Sequence, residues 1–201
     1  LAETASTFAE SVMSDGLLSD PSLSPAQGAL LLGEAVGDGA AFLLDVPTRF
    51  LFEKRFYEER SSGELTATRL SDLMTEAQRE VFGDALARGE EDPLFWASKL
   101  HFFIPDVTFY NFPYTFGFLL SRGMYALFAQ EGPSFLPRYE AFLKMTGSAM
   151  AHEVARASIG RDLEAPEFWM DAIETLRRPT DELERLLPSV LPRDEVVGSR
   201  E

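Results

Sequence analysis

Apolar residues recur along this chain at intervals of three and four, the period of one face of an α-helix. Phe42, Val46 and Phe50, followed by Phe52 and Phe56, form one such stripe. It predicts a long helix from Pro25 to about Arg60. Ser24 is its N-cap, Pro25 its first residue and Ser61-Ser62-Gly63 its stop. Pro47 predicts a kink or a split near Asp45, because it has no N–H and its ring crowds the carbonyl four residues back. Leu70, Leu73, Met74, Ala77 and Val81 mark the apolar side of a helix over 68–82, and Asp92-Pro93 caps another that runs through Phe95, Trp96, Leu100 and His101. Residues 2–17 precede these as a first helix, with 18–24 as a loop.

The segment 104–114 carries Pro105 and Pro113 and predicts irregular backbone. Helices over 115–129, 133–145, 149–158 and 166–177 follow, with one or two further turns at 180–187. No stretch alternates at period two for long, and no repeat of 30 to 45 residues is visible. The pattern therefore predicts an all-α chain: one helical domain over 1–187 and a polar, frayed tail over 188–201.

Composition narrows the choice of partners. The 201 residues are 45% apolar, with 17 Phe, enough to build a core. The formal charge of −15 argues against nucleic acid or an anionic membrane, which need a basic surface. The absence of Cys excludes a disulfide framework, a thiol nucleophile and Cys-ligated zinc. No run reaches the roughly 18 apolar residues of a membrane span. The balance fits a cytoplasmic protein of bacterial type.

Three places offer chemistry. Glu3 and Glu10 are seven residues apart, which at about 100° per residue returns to nearly the same azimuth. Beside Ala2, Ala5 and Ser6, they read either as a solvated acidic face or as part of a close-packed polar site. His152 opens His-Glu-Val-Ala-Arg, which begins like H-E-x-x-H but ends in Arg156, and so reads as a surface helix residue. The third place is the aromatic run 106–118. Tyr110 and Tyr114 sit four apart between prolines, ahead of Gly117, with His101 just upstream. Such a run serves either as core or as a set of phenol donors. A phenol is neutral at pH 7 and suited to stabilising the oxyanion that develops on a carbonyl.

Three segments taken together resemble the C-terminal part of oligoendopeptidase F-like members of the thimet oligopeptidase family of zinc peptidases. They are LAETASTFAE (1–10), RFLFEKRFYEE (49–59) and FWASKLHFFIPDVTFYNFPYTFGF (95–118). GPSFLPRYEAFLKMTGS (132–148) and LEAPEFW (163–169) also fit. The resemblance implies the helical catalytic domain of a zincin-type oligopeptidase, a two-lobed shell around a deep channel. It implies Zn2+ held by both His of H-E-x-x-H and by a later Glu at the position of Glu3, with Glu10 orienting a ligand. It matches Tyr110 and Tyr114 to tyrosines that bind substrate and stabilise the tetrahedral intermediate. His101 is the nearest match to the substrate-binding His, although its spacing to Tyr110 departs from the family pattern. Phe118 stands where relatives often have Tyr, which leaves Tyr114 as the oxyanion donor.

These 201 residues contain no H-E-x-x-H. The expectation is therefore a C-terminal fragment that lacks that helix. Its parent would hydrolyse internal bonds of short peptides, while the fragment alone would be inactive, would not hold zinc usefully, and would self-associate through surface that the parent buries. The alternative is a non-catalytic helical binding or scaffold domain that kept the peptidase fold.

Overall fold

Helices supply every regular element of residues 4–191, the part of the chain that the structure, a computed structural model, describes. They are α1 (Thr4–Leu18), α2 (Pro25–Ala40), α3 (Val46–Arg60), α4 (Ala67–Phe82), α5 (Phe95–Ser98), α6 (Phe112–Glu131), α7 (Leu136–Met145), α8 (Ala151–Ser158), α9 (Pro166–Glu174) and α10 (Arg177–Val190). No strand occurs among the described residues, so the chain is all-α, as the periodicity predicts. None of the described helices is long and apolar enough to cross a membrane.

The helix starts follow local chemistry. Ser24 and Gln27 form a reciprocal cap on α2: Gln27 Oε1 accepts from the Ser24 N–H at 3.0 Å, and Ser24 Oγ accepts from the Gln27 N–H at 3.4 Å. Thr66 Oγ1 accepts from the Arg69 N–H at 3.1 Å at the start of α4. The break expected near Asp45 takes the form of a π-helical turn over Ala41–Asp45, closed by the Val46 N–H on the Ala41 carbonyl.

Three other boundaries differ from the sequence reading. The helix expected through 95–101 divides at Lys99, whose backbone is extended, leaving α5 and a 3-10 turn over Leu100–Phe103. Residues 112–114 are helical rather than irregular, because Pro113 falls in the first turn of α6, where no N–H is needed. Helix α10 runs on through Pro188 to Val190.

The chain forms two compact units, one from residues up to Asp38 together with those from Gly117 onward, the other from Gly39–Phe116. In the second unit α3 packs on α4 through Phe52, Leu73, Met74 and Ala77. Phe95, Trp96 and Phe102 close over that core from the following segment. Gln78, buried in α4, fixes the path to them. Its Nε2 donates to the Asp92 carbonyl at 2.8 Å, and its Oε1 accepts from the Asp92 N–H at 3.0 Å.

Around the rim, Arg69 bridges Glu59 (2.6 Å) and Glu76 (2.9 Å). The hydrogen bond from Arg69 holds the Glu59 carboxyl below its usual value of 4.5. A carboxyl lowered by folding stabilises fully above its unfolded pKa and loses that contribution as pH falls through the folded one. Urea midpoints should therefore fall below pH 4.5, and fall less steeply in Arg69→Met. Parallel pH profiles for the two proteins would refute this.

In the first unit Phe8 of α1 stacks on Tyr139 of α7 (centroids 4.3 Å) and meets Phe128 of α6 edge-on at 5.7 Å. Phe135, Phe142, Val154 and Ile159 are fully buried in the same unit. Gly123 of α6 lets the ring of Phe168, from α9, lie directly against the helix backbone.

Candidate functional site

The 3-10 turn over Leu100–Phe103 places His101. Its neighbour Phe102 is inserted edge-on against Phe52 of the core at 5.1 Å, which anchors the turn and leaves the imidazole half-buried on the other side. The chain then crosses an irregular stretch and enters α6, whose first turn carries Tyr114. Asn111, completely buried, stands just ahead of α6, and its carbonyl accepts the Tyr114 N–H at 3.1 Å.

This arrangement brings His101, Tyr110 and Tyr114 into one cluster. The imidazole lies nearly parallel to the Tyr110 ring, with centroids 5.9 Å apart. It meets Tyr114 edge-on at 5.5 Å, and the two phenol rings are perpendicular at 5.8 Å. His101 Nε2 lies 3.2 Å from Tyr114 Oη. Tyr110 is 47% exposed.

The imidazole tautomer follows from its surroundings. His101 Nδ1 is buried with no hydrogen-bond partner. A buried orphan N–H is rarer in proteins than an under-used acceptor, which assigns the proton to Nε2. The imidazole then donates to Tyr114 Oη, and the phenol becomes the donor end of the pair. Each tyrosine carries a hydroxyl of the kind that can donate to an acceptor such as a peptide carbonyl.

Two tethers hold this stretch. Thr115 Oγ1 donates to the Phe42 carbonyl at 2.5 Å. In the π turn Val46 donates to Ala41, and the next residue, Pro47, has no N–H to continue the series; the Phe42 carbonyl instead accepts from Thr115. The second tether is Glu53, a carboxylate of α3 that is 4% exposed. It accepts the Phe109 N–H at 2.6 Å through Oε1 and faces Asn111 Nδ2 at 3.5 Å through Oε2. Phe109 itself has φ +55°, as Asp106 has φ +61°. A bulky residue with positive φ costs about 1 kcal/mol or more and persists only where the surroundings hold it. Phe109 packs on Phe50 (5.7 Å) and Tyr57 (5.5 Å). Burial, followed by the Glu53 charge, raises the Tyr57 phenol above its usual range.

The other sequence candidates fall elsewhere. Glu3 lies outside the described residues. Glu10 is exposed on α1, in the unit that does not contain the cluster. Phe118 is 7% exposed and brings no hydroxyl. His152 sits on α8, where its neighbour Glu153 accepts the Met150 N–H at 3.0 Å, so the Glu of that pair belongs to a helix cap. Among the described residues no group of three His, Asp or Glu could hold a metal ion, so these residues do not by themselves fit a zinc site.

Sequence reading missed Glu53. The signal was present: Val46, Phe50, Glu53 and Tyr57 follow one helical face, and a charged residue in an apolar stripe needs a buried partner.

No family model matches this chain. No solved structure matches it. Among curated proteins it is similar to Oligopeptidase PepF of Bacillus subtilis (strain 168), with 27% identity over 192 residues. The match covers 94% of this chain and 28% of that relative.

Proposed function

We propose that this chain is part of an oligopeptidase, to which it contributes the donors that bind a short peptide and steady the oxyanion formed at the scissile carbonyl. The observation that carries this reading is the convergence of His101, Tyr110 and Tyr114, three residues that the family resemblance singles out. The similarity to an oligopeptidase over nearly the whole chain supports it.

In this reading Tyr114 is the oxyanion donor, oriented by the Nε2–H of His101, and Tyr110 is a second donor at the solvent edge. The reaction of the parent protein is a zinc-dependent hydrolysis of internal peptide bonds in the cytoplasm, with Glu3 among the metal ligands and Glu10 orienting a ligand. These 201 residues, which lack H-E-x-x-H, should give no zinc-dependent turnover on their own.

The test is peptide binding by the chain itself, followed by fluorescence anisotropy with a labelled octapeptide of Gly, Ala and Phe. Tyr114→Phe should weaken binding about tenfold, equivalent to one hydrogen bond of roughly 1.4 kcal/mol. Tyr110→Phe should weaken it by less, since Tyr110 is the more exposed of the two residues. Equal affinity in the parent and both variants would refute this reading and favour a scaffold that uses some other surface.

A further inference from the structure

We propose that Glu53 is a positioning residue for the His101–Tyr110–Tyr114 cluster, a role that rests on the peptide-binding reading above. Its carboxylate grips the chain on both sides of Tyr110. Oε1 takes the N–H of Phe109, the residue before it, and Oε2 faces the side-chain amide of Asn111, the residue after it. A single side chain on α3 thereby fixes the direction in which Tyr110 leaves the backbone and the point at which α6 begins.

Three observations support this role. First, Glu53 is 4% exposed, and no Lys or Arg forms an ion pair with it among the described residues. A charge held there without a cation is costly unless its hydrogen bonds do structural work. Second, the N–H that it accepts belongs to a residue in the left-handed region. The loop would relax away from that conformation if the acceptor were removed. Third, Tyr110 itself is 47% exposed and so has little packing of its own to hold it against His101.

Asn111 makes a discriminating variant possible. Its Oδ1 is buried without a hydrogen-bond partner. In Glu53→Gln the new Oε1 can still accept from Phe109. The new Nε2 can donate to Asn111 Oδ1 once that amide turns over. The substitution keeps the grip and removes the charge. Glu53→Ala removes the grip, and Glu53→Asp keeps the charge but draws the oxygens back by one methylene.

The readout is the ring resonances of His101 in carbon-edited NMR of the whole chain. The chain has two His, so His152 on α8 serves as an internal reference. The stacked Tyr110 and edge-on Tyr114 rings shift the His101 signals. Glu53→Ala and Glu53→Asp should move them toward the His152 position and weaken octapeptide binding about tenfold, with unchanged far-UV circular dichroism. Glu53→Gln should keep both within about twofold of the parent.

Unmoved His101 resonances in folded Glu53→Ala would overturn the proposal, and if that variant does not fold, unmoved resonances in Glu53→Asp would do the same. Loss in Glu53→Gln equal to that in Glu53→Ala would also overturn it, because the grip would then not be what matters. The peptide-binding reading fails separately: if Tyr114→Phe and Tyr110→Phe bind octapeptide normally, that reading falls, while the His101 resonances still decide the role of Glu53.

Discussion

Replacing Gly123 by Ala should cost about 3 kcal/mol of stability, the upper part of the range for overpacking a filled core. A Cβ built at Gly123 falls 2.3 Å from Cζ of Phe168, with two further ring carbons at 2.6 and 2.8 Å. No real Cβ tolerates such contacts, so either the Phe168 ring or the backbone of α6 must move. The ring has little room: Phe168 is 4% exposed, and Trp169 lies edge-on to it at 5.2 Å. The indole Nε1 in turn donates to the Leu163 carbonyl at 2.9 Å, which fixes that neighbour in place. For a chain of this size the loss corresponds to a thermal midpoint lower by roughly 10 °C. The partner substitution Phe168→Leu in the Gly123→Ala background should recover part of it, since a smaller side chain vacates the volume that the methyl needs. A Gly123→Ala protein that melts with the parent would show that the two helices do not approach as described.

The second large effect concerns Arg122, one residue earlier on α6. Its guanidinium donates in three directions: Nε to Thr175 Oγ1 at 2.8 Å, a terminal nitrogen to the Thr175 carbonyl at 2.9 Å, and the other to Ser11 Oγ at 3.1 Å. It also lies over the ring of Tyr125 at 5.2 Å. Every hydrogen-bond acceptor there is neutral, so the cation is held by dipoles, an aromatic face and the more distant charge of Asp15, and burial pulls its basicity below the usual range. The group fastens α1 and the end of α9 to α6. Arg122→Ala strands the Thr175 carbonyl and opens a cavity, and should cost about 2–4 kcal/mol in urea unfolding. Arg122→Lys should recover little, because an ammonium cannot reproduce a planar fork aimed three ways. Arg122→Met should fall between the parent and the Ala variant, since it fills the space without burying a charge. Equal urea midpoints for Arg122→Ala and the parent would remove the role assigned to this residue.

Much of the fold was legible because helical period dominates the chain. The stripe at Phe42, Val46, Phe50, Phe52 and Phe56 placed the 25–60 segment, and the one at Leu70, Leu73, Met74 and Ala77 placed α4. What failed to show was local. Pro113 predicts irregular backbone, although the first turn of a helix accepts proline. Lys99 interrupts a helix with no glycine or proline to mark it, because Trp96 and Phe102 are drawn into the core around it. The grouping of His101 with both tyrosines could be anticipated from resemblance. Periodicity alone gives no reason for residues 101 and 110 to face each other, since irregular backbone joins them. Glu53 was hidden for another reason. It sits in the charged string Glu-Lys-Arg, where only its register on the helix distinguishes a buried acid from its exposed neighbour Lys54.

The π turn at Ala41–Asp45 bears on which insertions and deletions the chain can tolerate. A ring closed five residues back holds one residue more than an α-helical ring, so the turn absorbs an extra residue without changing the phase of α3. It also moves a carbonyl away from the Pro47 ring, which in a regular α-helix would strike the carbonyl of Leu43. Deleting one residue from 41–45 would restore the α-helical spacing and bring that collision back. Exchanging Pro47 for Ala alone would supply an N–H that competes with Thr115 for the Phe42 carbonyl. The extra residue and the proline therefore form a coupled pair: the residue can be lost at little cost to the helix only once the proline has gone.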